Sequence, residues 1–69
     1  MKFTQVESSN IAEIAFDEEK EALFVKFKND TVYEYSEVPY YVFEEMLSAD
    51  SVGSYFHKNV RSSYEFSKL

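Results

Sequence analysis

His57, Lys58, Asn59 and Arg61 lie within one five-residue window near the end of a 69-residue chain. At helical spacing His57 and Arg61 stand four apart on one face, with Lys58 three from Arg61. A planar guanidinium holds a phosphate or carboxylate through two parallel hydrogen bonds, and the Asn59 amide or a serine hydroxyl can add a further donor. The competing expectation is that Arg61 pairs with one of the chain's thirteen acidic side chains.

Other residues invite other chemistry. Ser8, Ser9 and His57, with an acid, contain the parts of a hydrolase triad, in which His is the general base. No glycine-flanked nucleophile elbow accompanies them, so turn-forming serines and a surface histidine are the plainer reading, and no catalytic residue is expected. Tyr33 and Tyr35 form a stacking platform for bases if exposed, and core if buried. Asp17-Glu18-Glu19-Lys20-Glu21 lacks the alternating oxygens and mid-loop glycine of a calcium loop and reads as a solvated turn. With no cysteine there is no thiolate nucleophile, disulfide or sulfur zinc site, and no metal or cofactor is expected.

These side chains must be positioned by short elements. Phe3 and Gln5 show weak alternation, and Ser8-Ser9-Asn10 favours a reversal. Ile11 to Phe16 has a period of two, with Ala12, Ile14 and Phe16 on one side and Ile11, Glu13 and Ala15 on the other. Leu23, Val25 and Phe27 alternate with Phe24, Lys26 and Lys28, and this run pairs with Val32 to Tyr35 as a hairpin.

A two-residue loop at Asn29-Asp30 would set Glu34 in the apolar face. A three-residue loop, Lys28-Asn29-Asp30 with Asp30 left-handed, sets Val25 opposite Tyr33 and Leu23 opposite Tyr35, and brings Lys26 near Glu34. The second register is preferred.

Val38-Pro39 marks a boundary, and a helix is expected from Pro39, with Val42, Phe43, Met46 and Leu47 as its apolar stripe. Asp50 or Ser51 can cap a second helix carrying Val52, Tyr55, Phe56 and Val60. Gly53 weakens that helix by about 1 kcal/mol unless a close approach requires it. Tyr64, Phe66 and Lys68 allow a short final strand. The expected fold is one α+β domain over residues 1–69, an antiparallel three-stranded meander with an optional C-terminal strand and two helices packed on one face.

Seven Phe and six Tyr supply the packing that so small a domain needs. Residues 1–50 hold twelve acids against four lysines, whereas residues 51–69 hold Glu65 against Lys58, Arg61 and Lys68. The net charge of −6 repels nucleic acid at long range, so any such contact must rest on the local basic cluster. No stretch has a signal-peptide pattern or the roughly 20 apolar residues of a membrane span, which leads to the expectation of a cytoplasmic protein without membrane contact.

Three segments together, Val6 to Ile11, Leu23 to Pro39 with its central Tyr33-Glu34-Tyr35, and Ala49 to Arg61, resemble the KTSC domain. That family is named for its place at the C-terminus of some lysyl-tRNA synthetases and also occurs as small stand-alone bacterial proteins. Asp30 stands where the family usually has glycine, and His57 where it usually has asparagine, which argues against His57 as a family catalytic residue. The resemblance implies a non-enzymatic module, with RNA binding suggested by the synthetase context. Two partner classes follow: RNA or another phosphate-bearing molecule at His57, Lys58, Asn59 and Arg61, or protein association, including self-association, through the acidic and aromatic front.

Overall fold

In the computed structural model, which describes all 69 residues, the chain forms β1 (Thr4–Gln5), β2 (Ile11–Asp17), β3 (Ala22–Phe27), β4 (Val32–Tyr35), α1 (Tyr40–Ser48), α2 (Val52–Asn59) and β5 (Phe66–Lys68). The strands make one antiparallel sheet in the order β1-β2-β3-β4-β5. The α+β class and both helices match expectation, but the sheet has five strands rather than a three-stranded meander: the optional C-terminal strand forms, and an N-terminal strand is added.

These two strands sit at the edges. Thr4 pairs with Ile14, and the Val6 amide donates to the Ala12 carbonyl at 3.1 Å, so the N-terminal segment is tied down. At the opposite edge Ser36 N–H donates to Glu65 O at 2.9 Å and Leu69 N–H to Val32 O at 2.8 Å. Every residue of β1 and β5 is exposed, so neither strand shows the buried-exposed alternation that reveals a strand in sequence. Such short edges also offer little template for unwanted pairing.

The central hairpin adopts the three-residue loop. Phe27 and Thr31 close it through Phe27 N–H to Thr31 O at 2.9 Å, and Asp30 has φ 70°. Val25 lies opposite Tyr33 and Leu23 opposite Tyr35, as the pattern requires. The expected Lys26–Glu34 approach is replaced: Lys26 faces Val32 across the ladder and reaches Asp30 at 4.0 Å.

In β2 the alternation breaks phase. Ile11 pairs with Phe27 and Glu13 with Lys26, leaving Ala12 as the extra residue of a bulge. The bulge turns Ile11 to the same side as Ile14, and both are fully buried, whereas strict alternation put them on opposite faces.

Pro39 occupies the cap position with ψ 147°, so α1 starts one residue later than expected, at Tyr40. Val42 and Met46 are buried and Phe43 half-buried, but Leu47 is 40% exposed and lies at the rim of the stripe. Ser51 caps α2 by accepting from Ser54 N–H at 3.2 Å. Val52, Phe56 and Val60 then close over Ile14, Leu23 and Val25 in one core cluster. Tyr55 Oη donates to Glu45 Oε1 at 2.6 Å and links the helices from outside.

Gly53 is at a close approach. A Cβ there would lie 3.3 Å from Ser8 Oγ, which is itself held by hydrogen bonds to Asn10 Oδ1 at 3.1 Å and from Ile11 N–H at 3.3 Å. The helix propensity gained by Gly53→Ala, about 1 kcal/mol, is therefore opposed by a neighbour that resists moving. Gly53→Ala is expected to be near neutral alone and stabilising by up to about 1 kcal/mol in a Ser8→Ala background, read by urea unfolding as a double-mutant cycle. Equal effects in both backgrounds would show that the contact carries no constraint.

Asp30 generates a second prediction. Asp30→Val should lower the unfolding free energy by about 1–2 kcal/mol, because a β-branched residue resists the left-handed region, while Asp30→Gly should not. A valine variant as stable as the parent would contradict the loop geometry.

A third prediction concerns alkaline pH. Burial, followed by the hydrogen bond to Glu45 and its charge, pushes the Tyr55 phenol up to about 12, and burial foremost also raises Tyr35 and Tyr64. An unfolded tyrosine ionises near 10, so between about 10 and 12 the unfolded chain releases protons that the folded chain keeps. Stability contributed by these phenols is complete below about pH 10 and is lost as pH rises through the folded values. Unfolding midpoints measured across that range should fall, and should fall less steeply for Tyr55→Phe; identical slopes would remove Tyr55 from the account.

Candidate anion and aromatic groove

Because β4 pairs with both β3 and β5, Tyr33 and Tyr35 share a sheet face with Leu23 and Val25 on one side and with Phe66 and Lys68 on the other. Phe56 of α2 meets Phe27 and Tyr35 edge-on, with ring centroids 5.7 and 5.6 Å apart. Beyond Phe56 the aromatic face continues into solvent. Tyr35 is 3% exposed and Tyr33 half-buried, whereas Phe66 is 55% exposed. The Phe66 centroid lies 5.4 Å from that of Tyr33 and 5.6 Å from that of Tyr35.

This face forms the floor of an open groove of about 510 Å³. His57, Arg61 and Ser62 line one side, and Asn10, Asn29 and Thr31 contribute polar groups. Arg61 lies just past α2, where its amide donates to Phe56 O at 2.9 Å. Its Nη1 approaches His57 Nδ1 at 3.2 Å. A guanidinium only donates, so that imidazole nitrogen is the acceptor.

No carboxylate lines the groove, and Arg61 has no carboxylate partner; the ion pair in the structure joins Lys26 and Asp30. The expectation that Arg61 is neutralised by one of the many acids is therefore not met. Arg61 also acts on Tyr35: burial is the main influence raising that phenol and the neighbouring Tyr33 raises it further, while the Arg61 charge pulls it down.

The sequence-derived set divides. His57, Arg61, Tyr33 and Tyr35 converge on the groove, although the hairpin and the second helix were separate candidates in sequence. Lys58 and Asn59 do not line it; Lys58 is exposed, and Asn59 Nδ2 donates to Tyr55 O at 3.2 Å along the helix. Ser8 shapes the turn before β2, and Ser9 is exposed beside it. The acidic turn has a comparable local part, with Asp17 Oδ1 accepting from the Glu19 and Lys20 amides at 3.0 and 3.3 Å.

Phe66, Asn10, Asn29 and Ser62 were not singled out as site residues. Phe66 gave a signal only as one member of a tail alternation, and the other three belong to turns whose spatial meeting no local pattern encodes.

Residues 7–64 match the KTSC domain. The lysine–tRNA ligase of Trichormus variabilis is 36% identical over 63 residues, which are 91% of this chain but 11% of the ligase, so the chain spans about a tenth of that relative. An uncharacterised protein from Stutzerimonas stutzeri is 34% identical over 58 residues, 84% of this chain and 82% of that one. The crystal structure of a KTSC domain protein from Yersinia pestis has a TM-score of 0.94 at 26% identity and covers 99% of this chain and 96% of that chain. With the hairpin, both helices and most of the sheet inside the matched residues, this chain belongs to the KTSC domain family.

Proposed function

We propose that this chain is a non-enzymatic binding module of the cytoplasm that contacts RNA or another phosphate-bearing partner at the groove beside Arg61. The observation that carries this reading is an arginine without a carboxylate partner at a carboxylate-free groove, in a chain with thirteen acids and a net charge of −6. A guanidinium in that setting keeps its remaining donors, beyond the one given to His57, for an incoming anion. Lysine–tRNA ligase is named for a reaction involving tRNA, and the similar segment within it supports RNA as the partner.

A second reading has its own observation. Tyr40, Tyr41 and Leu47 leave α1 with 44%, 58% and 40% of their surfaces exposed, which suits association with a protein or a second copy.

The two readings separate by salt. Binding to tRNA through Arg61 should be detectable by electrophoretic titration at low ionic strength, weaken as salt rises and disappear in Arg61→Glu. No shift at low salt would overturn the RNA reading. Association through the α1 aromatics should instead persist at high salt.

A further inference from the structure

The aromatic floor and the single arginine belong to one groove, and their combination narrows the ligand. Arg61, at one side, supplies the full positive charge among the lining side chains, while Phe66 presents an exposed ring against Tyr33 and Tyr35. Tyr33 and Tyr35 are themselves stacked at 21° with centroids 6.4 Å apart, so Phe66 rests on a rigid aromatic base.

The remaining polar lining is rich in donors. Asn29 uses its Oδ1 on Thr31 N–H at 3.1 Å and Thr31 Oγ1 at 2.6 Å, which leaves its amide N–H groups for a ligand. Asn10 likewise accepts from Ser8 Oγ through Oδ1 at 3.1 Å and keeps its Nδ2. A groove with donors, one cation, a π face and no carboxylate suits a ligand that joins a planar ring bearing acceptors to an anion.

Resting on the phosphate reading above, we infer that the groove takes a single unpaired nucleotide of an RNA strand. Its base lies against Phe66 and Tyr33, its phosphate lies at Arg61, and the Asn10 and Asn29 amides face the base or sugar. The volume of about 510 Å³ is within the range of small-ligand sites, not that of a groove that follows a helix. A duplex conceals the faces of its bases, so stacking on Phe66 selects single-stranded RNA. One phosphate contact also sets a shallow salt dependence, with log K falling against log salt at a slope of about −0.7.

Isothermal titration and amide NMR of the full chain test this with three probes: inorganic phosphate, a single-stranded hexaribonucleotide and a blunt-ended RNA duplex. The single strand should bind about tenfold or more tighter than the duplex and shift amides of Tyr33, Phe66 and Arg61. Phe66→Ile keeps strand propensity but removes the π face, and should lose about tenfold or more in affinity for the single strand. Phe66→Tyr should retain that affinity, which separates stacking from loss of β5, and Arg61→Gln should flatten the salt slope.

Equal binding of single strand and duplex, or a Phe66→Ile variant that binds as the parent does, overturns the nucleotide inference while leaving the phosphate reading in place. Failure of every phosphate-bearing probe to bind at low salt overturns both.

Discussion

The loop Lys28–Asp30 decides which face of β4 each side chain takes, because adding or removing one loop residue would exchange the two faces of the strand. With Asp30 at φ 70° and Phe27 bonded to Thr31, Tyr33 and Tyr35 turn toward the helix-covered side while Glu34, half-buried, takes the opposite face. The apolar core, the seat of Phe56 and the floor of the groove all inherit this choice. Asp30 tolerates the left-handed backbone at a cost that glycine would avoid, and it also meets Lys26 at 4.0 Å. That ion pair is too exposed to explain the residue by stability, since such contacts contribute about 0–1 kcal/mol.

A chain of 69 residues has limited means to build both a core and a ligand surface. Here aromatic rings form both the core and the floor of the groove. Phe56 and Tyr35 are buried at 4% and 3% exposure, and from them the ring contacts run outward through Tyr33 to Phe66. The exposed end is thus supported by the same packing that holds α2 on the sheet. Close packing transmits side-chain displacements, so the position of Phe66 depends on core residues well inside the groove.

The hairpin register was legible because two constraints coincide: the alternation of Leu23, Val25 and Phe27, and the penalty for placing Glu34 inside. The cap of α2 was legible as Asp50 or Ser51, of which Ser51 serves, and the requirement for glycine at 53 was legible only as a condition, since Ser8 reaches it through tertiary packing. The bulge at Ala12 was not, because an inserted residue leaves a sequence that still reads as perfect alternation over a shorter run. The C-terminal strand β5 was legible as an option from the alternation of Tyr64, Phe66 and Lys68, whereas β1, two fully exposed residues, carries no burial period and left only a weak alternation. In the site, the His57–Arg61 spacing predicted a real approach, yet Lys58 on the adjoining helical position leaves the groove. Apart from Phe66, the residues that face Arg61 across the groove come from Asn10 and the hairpin, distant in sequence, and spacing along a helix says nothing of them.

Long-range and short-range electrostatics act in opposite senses on this molecule. The net charge of −6 resists the approach of any polyanion, and salt screens that repulsion over about 8–10 Å. Within the groove the order reverses, because no carboxylate is present to neutralise Arg61 and its hydrogen-bond partner is Nδ1 of His57. Holding the guanidinium by an imidazole nitrogen orients it without consuming its charge, whereas a carboxylate in the same place would orient and neutralise together. For the proposed anionic ligand, raising salt would therefore weaken the unfavourable approach and the favourable contact at once, and its affinity would depend more on the aromatic floor than on the charge of Arg61 alone.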